Sequence, residues 1–326
     1  MNAEWQGPLL RSVARSFYLS IRLLPGKLRA PIALAYLLAR ATDTIADTVT
    51  IDAPVRLDSL GKLAALIQGE PVAEAENFLA TFTAQQTRIA ERALIAAVPA
   101  CLRWLEAMPQ ADRADIREVL AKISQGQRLD VERFANCAPI VALTNGAELD
   151  RYTYLVAGCV GEFWTRVCFR HLTNFATRSP SEMLSLGENF GRGLQLVNIL
   201  RDAGEDLRAG RCYLPADELP LEPKQLLVDA TPAEPVVKIW RERAEQGIAD
   251  GLEYACAIRS WRVRLATALP ALIGARTLAL LREAGARAFV ERVKVPRAEV
   301  RQIIFRAVRT LASRRALRAA FARLST

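Results

Sequence analysis

Apolar residues recur every three to four positions along almost the whole chain. Ala, Leu, Arg and Glu fill the long segments, strand-like alternation is rare, and helix breakers such as Pro25-Gly26 fall in short clusters. This period is typical of amphipathic helices, whose ends Pro and Gly often mark. Pro31 is expected in the first turn of a helix over residues 31–49, where its missing N–H costs nothing. The sequence therefore predicts one all-α domain over residues 1–326.

Composition excludes several classes of protein. Hydrophobic residues make up 51% of the chain, which excludes an intrinsically disordered protein. The net charge of +9 fits a protein that handles an anionic substrate or lies near an anionic membrane. Basic residues are not interleaved with aromatic ones, so no nucleic-acid partner is expected. A single histidine, His171, excludes a metal site built from several imidazoles.

Cysteine usage and the N-terminal sequence indicate a cytoplasmic protein. None of the six cysteines forms a C-x-x-C pair, and most lie in apolar helical sequence, so we expect them to be reduced. The N-terminus lacks the basic-then-apolar pattern of a signal peptide. Residues 31–39 form an apolar run much shorter than the ~20 residues that cross a bilayer. The expectation is a cytoplasmic protein, with peripheral contact with the cytoplasmic membrane as the alternative.

Two narrow polar stripes run along helices that are otherwise apolar. Within residues 32–47, one helix face carries side chains at i, i+4, i+7 and i+11, namely Tyr36, Arg40, Asp43 and Asp47. Within residues 193–206, one face carries Gln195, Asn198, Asp202 and Asp206, with Arg201 and Glu205 beside them. A stripe of this kind is costly in an apolar helix unless it lines a wet cavity or binds ions.

The paired aspartates of both stripes favour a cation site. The alternative is two solvated helix faces, because D-x-x-x-D alone is a weak signal. Like charges at i,i+4 destabilise an isolated helix by roughly 0.2–0.5 kcal/mol, so two such pairs indicate that a cation bridges them. Oxygen ligands without His or Cys favour Mg²⁺, whose coordination substrate phosphates would complete.

An isoprenoid diphosphate would suit such a site. Its diphosphate leaves once the charge is neutralised, which Mg²⁺ and the side chains of Arg40, Arg201 and Arg211 would do. An apolar helical lining would shelter the allylic carbocation from water. Aromatic faces would stabilise its positive charge, and the candidates are Phe17, Tyr36 and Tyr152.

Motifs spread over most of the chain match those of one known family. Arg15-Ser16-Phe17 is similar to a segment that contacts diphosphate, and residues 36–47 resemble a first aspartate-rich motif. Residues 152–161, YTYLVAGCVG, resemble the signature Y-x-x-x-V-A-G-x-V-G. Residues 195–206 resemble Q-x-x-N-x-x-R-D-x-x-E-D, and residues 210–215 resemble a flap with a phosphate-facing arginine. On these motifs the chain resembles the squalene/phytoene synthases, which join two prenyl diphosphates head to head.

The resemblance implies an isoprenoid-synthase-type helical bundle around a central apolar cavity, and it assigns roles to residues. The implied metal ligands are Asp43, Asp47, Asp202 and Asp206, with Glu205 in support. The implied substrate-binding residues are Arg15, Ser16, Phe17, Tyr36, Arg40, Gln195, Asn198, Arg201 and Arg211. The implied catalytic residues are Tyr36, Asp43, Tyr152 and Asp202. Tyr152 would steer proton removal, although released diphosphate is a rival base because a phenol is a weak one.

Several details resemble squalene synthases in particular. Asp43-Thr44 opens the first motif as in those enzymes, and residues 268–278 resemble another of their segments. Lys294 and Arg297 are similar to the lysine and arginine that help hold NADPH there, although Pro296 shifts the alignment by a residue. The other interpretation of Lys294 is a solvated loop lysine. The implied reaction joins two farnesyl diphosphates into presqualene diphosphate, which NADPH then reduces to squalene.

Other functions remain open at this point. Within the family, the product would instead be presqualene diphosphate, hydroxysqualene, dehydrosqualene or phytoene. Outside it, a terpene cyclase is suggested by the spacing of Asn198, Asp202 and Asp206, but Asp202 stands where such enzymes have Ser or Thr. A non-catalytic assembly factor is disfavoured by the intact aspartates. The basic amphipathic helix predicted over residues 297–323 would either lie on an anionic membrane or cap the domain with its arginines in water.

Overall fold

The chain forms two compact units that are almost entirely helical. The computed structural model describes residues 6–14, 17–73, 75–135, 139–310 and 313–326. The first unit contains the described residues of Met1–Ala135 together with Arg166–His171, and the second those of Asn136–Thr165 and Leu172–Thr326. The predicted all-α class is confirmed.

Helix α3 lies at the centre of the first unit. The helices of this unit, in chain order, are α1 (Gln6–Ala14), α2 (Phe17–Leu23), α3 (Gly26–Ala46), α4 (Ala53–Gln68), α5 (Ala75–Gln85), α6 (Ile89–Ala96), α7 (Val98–Glu106) and α8 (Gln110–Arg133). Helix α3 contacts α1, α2, α4, α6, α7 and α8. Leu34, Leu37 and Leu38 are fully buried on α3, so burial of apolar surface holds the helix in place.

The start of α3 differs from the sequence prediction. The helix begins at Gly26, so Pro31 lies inside it and not in its first turn. The Arg29 guanidinium donates to the carbonyl of Leu24 at 2.9 Å, where it satisfies a carbonyl at the end of α2. Leu28 is fully buried. These contacts extend the helix ahead of the proline and outweigh the backbone hydrogen bond that Pro31 removes.

The second unit is built around α11. Its elements are β1 (Val141–Leu143), α9 (Gly146–Thr153), α10 (Cys159–His171, whose last residues belong to the first unit), α11 (Pro180–Arg208), β2 (Arg211–Pro215), α12 (Glu234–Ala257), α13 (Trp261–Ala284), α14 (Arg297–Thr310) and α15 (Arg314–Leu324). Short 3₁₀ turns lie at Pro223–Leu227, Thr231–Ala233 and Gly285–Phe289. Helix α11 contacts α9, α12, α13 and β2.

Local sequence fixes where α11 begins and how closely α10 passes it. The Ser179 hydroxyl accepts from the backbone N–H of Glu182, and the Glu182 carboxylate accepts from the backbone N–H of Ser179, which forms a capping box ahead of Pro180. A Cβ on Gly161 of α10 would lie 1.9 Å from the carbonyl oxygen of Gly187 on α11. Only glycine permits this approach, so the glycine of the predicted signature sets the distance between the two helices.

Three other elements differ from the sequence interpretation. Helix α7 was not expected, and β1 and β2 form a short parallel pair in which Val141 lies opposite Arg211. The predicted continuous helix over residues 297–323 is wrong, since α14 and α15 are separate helices. The Ser313 hydroxyl accepts from the backbone N–H of Ala316 at 3.2 Å and so caps the start of α15.

Within the residues that the structure describes, one helical stretch is long and apolar enough to span a membrane by length and composition. It covers Trp261–Phe289, and 78% of its most apolar window is buried inside the protein. The apolar run at residues 31–39, which alone was weighed as a span from the sequence, lies elsewhere in the chain. Packing within the second unit accounts for the apolar character of α13, because Ala268, Ala271 and Leu272 are all but completely buried.

Candidate functional site

The first aspartate row lies on one face of α3. The Arg40 guanidinium contacts the Asp43 carboxylate directly, and its other nitrogen donates to Glu91 at 3.1 Å. The Tyr36 hydroxyl donates to the carbonyl of Val13 at 3.3 Å. Asp47 follows as the C-terminal cap of α3. The predicted stripe is therefore a real helix face, and its arginine holds an aspartate of that face.

The surroundings of Asp43 are unfavourable for a negative charge. Burial and, after it, the charge of Asp47 raise the pKa of Asp43 to about 6, although Arg40 opposes both effects. Asp130 on α8 adds another negative charge. The Asp43 side chain nevertheless stays 41% exposed, so a ligand can reach it. A cation bound here would relieve the repulsion between these carboxylates.

The second row lies on one face of α11. The Arg201 guanidinium donates to both carboxylate oxygens of Asp202, one of them at 2.9 Å. The amide of Asn198 lies 3.5 Å from the side-chain oxygen of Gln195. Glu205 is exposed and pairs with Arg292 at 3.2 Å. As in the first row, a guanidinium group pairs with an aspartate of the row.

The end of α11 and the start of β2 bring three predicted residues together. The Arg211 guanidinium donates to Asp206 at 2.7 Å, and the Tyr152 ring stacks on the Tyr213 ring at 5.2 Å. Burial raises the pKa of Asp206, Arg211 lowers it, and Asp202 raises it again. Asp206, Arg211 and Tyr213 line one recess of this unit. The flap arginine, an aspartate of the second row and the signature tyrosine thus share one neighbourhood.

The signature segment contains an irregular helical turn. Residues Tyr154–Gly158 form a π-helical turn between α9 and α10, where the sequence analysis had no reason to expect a break. Tyr152 therefore lies near the end of α9. Turns of this type occur frequently at functional sites because they change the direction of nearby side chains.

The remaining predicted residues lie apart or outside the described chain. Lys294 lies in the non-helical segment before α14, Arg297 is the first residue of α14, and both are exposed. Arg15 and Ser16 lie outside the described residues, and of Phe17 only the backbone is described, at the start of α2.

Sequence reasoning missed two acidic residues beside the first row. Glu91, which receives the second hydrogen bond from Arg40, carries no sequence signal that ties it to α3. Asp130 does carry one, because it shares the apolar face of α8 with the buried Ile123, Gln127 and Phe134, at the same helical spacing as the two stripes.

No three carboxylate, imidazole or thiol groups converge on a ready-made metal site in the described part of the chain. The acidic residues are arranged as pairs along each helix. Mg²⁺ keeps several waters and is usually bound by one or two carboxylates together with substrate phosphates. Pairs of aspartates therefore suit Mg²⁺ that arrives with a diphosphate better than a resident ion held by protein alone.

Comparison with known proteins gives consistent matches. The squalene/phytoene synthase family model matches residues 10–299. The squalene synthase ERG9 of Saccharomyces cerevisiae is 30% identical over 215 residues, which cover 64% of this chain and 44% of the yeast protein. A bifunctional lycopene cyclase/phytoene synthase of Colletotrichum graminicola is 27% identical over 209 residues, which cover 63% of this chain and 33% of that protein. The chain thus matches less than half the length of these relatives.

A solved structure shares the fold over nearly the whole chain. TcSQS in complex with the ligand BPH1237 superposes with a TM-score of 0.77 at 21% sequence identity, covering 98% of this chain and 90% of that one. The isoprenoid-synthase-type helical fold implied by the sequence motifs is confirmed.

Proposed function

Because the chain belongs to the squalene/phytoene synthase family, we propose that it is a squalene synthase acting on farnesyl diphosphate. It condenses two farnesyl diphosphates head to head to presqualene diphosphate and then reduces this intermediate to squalene with NADPH. The observation that carries this proposal is that each aspartate row places arginines against its carboxylates: Arg40 pairs with Asp43, Arg201 with Asp202 and Arg211 with Asp206. A metal–diphosphate substrate needs both kinds of charge.

The residues present fit Mg²⁺. The ligands would be Asp43, Asp47, Asp202 and Asp206, with Glu205 in support. These groups offer only oxygen. Burial raises the pKa of Asp43 and of Asp206, and the neighbouring carboxylates, Asp47 and Asp202 respectively, raise it too, so a divalent cation would stabilise the ionised forms. When bound, Mg²⁺ neutralises the charge that develops on the departing diphosphate.

The arginines of the two rows would exchange partners when substrate binds. Arg40, Arg201 and Arg211 each pair with an aspartate of the proposed metal set. Once cations occupy those carboxylates, the guanidinium groups can turn to the diphosphate, for which their planar hydrogen-bonding geometry is well suited. Gln195 and Asn198, adjacent on α11, would orient the diphosphate or its bound water.

Tyr152 is the proposed group that steers proton loss during cyclopropane formation. Its ring is held by stacking on Tyr213, next to the Arg211–Asp206 pair. Since a phenol is a weak base, the released diphosphate would share the role of proton acceptor. Tyr36, anchored to Val13, would contribute from the first row, where its aromatic face also stabilises positive charge.

Lys294 and Arg297 are the proposed NADPH-binding residues. Both are exposed cations three positions apart in sequence, and this donor set fits the phosphates of the dinucleotide. NADPH supplies the hydride for the second half-reaction. Arg292, in the same segment, pairs with Glu205, which joins this segment to the second aspartate row.

Product analysis tests the proposal and separates it from its alternatives. The protein is incubated with farnesyl diphosphate and Mg²⁺, with and without NADPH, and the extracted products are identified by mass spectrometry. Squalene that forms only with NADPH supports the proposal. Presqualene diphosphate, hydroxysqualene or dehydrosqualene regardless of NADPH would assign another member of the family, and phytoene from geranylgeranyl diphosphate would do the same. A cyclised terpene, or no product at all, would favour a terpene cyclase or an assembly factor.

A further inference from the structure

Positive charge is concentrated at the C-terminal end of the chain. Residues 297–326 contain eight arginines and one glutamate, so they carry seven of the nine surplus positive charges of the whole protein. The one glutamate, Glu299, faces inward and accepts from Arg276 of α13 at 2.6 Å. The outward charge of this segment is therefore entirely basic.

This segment is a folded helical hairpin fixed to the second unit. The inner faces of α14 and α15 bury Ile303, Ala307 and Leu317. Arg318 of α15 makes two hydrogen bonds to Glu253 of α12, at 2.8 and 2.9 Å. With the Glu299–Arg276 bond, these contacts hold both helices in place, so their outer side is a defined surface.

The outer side of α14 combines basic and apolar side chains, and we call it the basic face. Phe305 is 62% exposed and Val308 is 52% exposed. Their exposed neighbours on this helix are Arg301, Arg306 and Arg309. The Arg309 guanidinium lies over the Phe305 ring at 5.5 Å from its centre. In the described part of the chain, no carboxylate lies within ion-pair distance of these three arginines.

We propose that the basic face docks on the surface of an anionic lipid bilayer. Arginines at such a surface attract acidic headgroups, and an exposed phenylalanine and valine between them can enter the boundary between headgroups and acyl chains. A nucleic acid would use the arginines but would gain nothing from exposed Phe305 and Val308. The hairpin lies flat on such a surface and does not cross it. This proposal does not depend on the catalytic activity.

Vesicle flotation with the full-length protein tests the proposal. The protein is mixed with phosphatidylcholine vesicles that either contain or lack phosphatidylglycerol. It should float only with the vesicles that contain phosphatidylglycerol, and added salt should release it because screening weakens the attraction. Equal flotation with both vesicle types, or binding to duplex DNA that is tighter than binding to the acidic vesicles, would overturn the proposal.

Matched charge variants make the test specific to the basic face. Replacing Arg301, Arg306 and Arg309 together with glutamine should weaken vesicle binding by about tenfold or more. The control variant replaces three other exposed cations, Lys27, Arg103 and Lys224, with glutamine. It should bind the vesicles as tightly as the wild type does. Phe305→Ser, a single exposed change, should also weaken binding while circular dichroism and Tm stay unchanged. Equal binding of the basic-face triple variant and its control would refute the assignment.

Discussion

The Arg211 guanidinium donates to the Asp206 carboxylate at 2.7 Å, which links the first residue of β2 to the last aspartate of the row on α11. The parallel pairing of β2 with β1 sets the position of Arg211, and the capped helix α11 sets that of Asp206. A short strand pair in an otherwise helical fold thus places a cation against the acidic row. Because both residues are held in place by the fold, the proposed exchange of the arginine's partner for a diphosphate would require little rearrangement of the backbone.

Asp43→Asn and Asp202→Asn should each lower the turnover of farnesyl diphosphate by about 100-fold or more, since each removes a carboxylate that would hold Mg²⁺. Steady-state kinetics measures the loss, and circular dichroism checks that the fold is kept. Asp58→Asn is the matched control, because Asp58 is exposed on α4 and pairs with Lys62 across one helical turn. Near-normal rates in either row variant would contradict the metal assignment.

Much of the arrangement of the two aspartate rows could be predicted from the sequence, because helical spacing determines which side chains share a face. Asp43 and Asp47 had to lie on one side of α3, and Asp202 and Asp206 on one side of α11. Partners from distant helices could not be predicted in the same way. Glu91 reaches Arg40 only through the packing of α6 on α3, which no local pattern encodes.

The predictions for the start of α3 and for a continuous helix through residues 297–323 were wrong for a different reason. Proline and apolar periodicity suggested boundaries, but the contacts of Arg29 with the end of α2 and the Ser313 cap decided them. Both are local side-chain to backbone bonds, which apolar periodicity and the position of proline do not reveal.

The raised pKa of Asp43 predicts a pH-dependent cost in stability. The pKa of Asp43 is 3.8 in the unfolded chain and about 6 in the folded protein, so folding disfavours the charged form. Stability should therefore fall as pH rises between these values and stay lower above them. Asp43→Asn removes the charge and should raise Tm by a few degrees at about pH 8 and by less at about pH 5.

Thermal unfolding monitored by circular dichroism at both pH values measures this effect, with Asp58→Asn again as the control. A Tm difference that does not grow with pH would contradict the assigned burial of Asp43. Mg²⁺ with pyrophosphate should narrow the difference by raising the Tm of the wild type, because the bound cation stabilises the ionised carboxylate.

Arg211→Gln should lower kcat/KM for farnesyl diphosphate by about tenfold to 100-fold, because it would remove the proposed charge-assisted hydrogen bond to the substrate phosphates. Arg211→Lys should recover only part of the loss, since an ammonium lacks the planar fork of a guanidinium. Arg208→Gln is the control, as Arg208 is exposed at the end of α11 and its guanidinium lies near the carbonyl of Phe289. An equal fall in kcat/KM for the Arg211 and Arg208 variants would contradict the proposed role of Arg211.

Gly161→Ala should destabilise the protein by about 2–3 kcal/mol, since the new Cβ would meet the Gly187 carbonyl and force α10 away from α11. Gly7→Ala is the same change at a helical glycine whose new Cβ would meet no other group within 4 Å, so it should leave stability unchanged or raise it by up to about 1 kcal/mol. Urea unfolding gives both values. Similar stabilities for the two variants would show that the helices tolerate a wider separation.

Binding of pyrophosphate, followed by isothermal titration calorimetry, tests the central claim most directly. If both aspartate rows hold Mg²⁺ against a diphosphate, the wild type should bind pyrophosphate with Mg²⁺ and lose that binding when EDTA is added. Asp43→Asn and Asp202→Asn should each weaken it by about tenfold or more, and Asp58→Asn should not. Binding that is independent of Mg²⁺, or that survives unchanged in both row variants, would contradict the account.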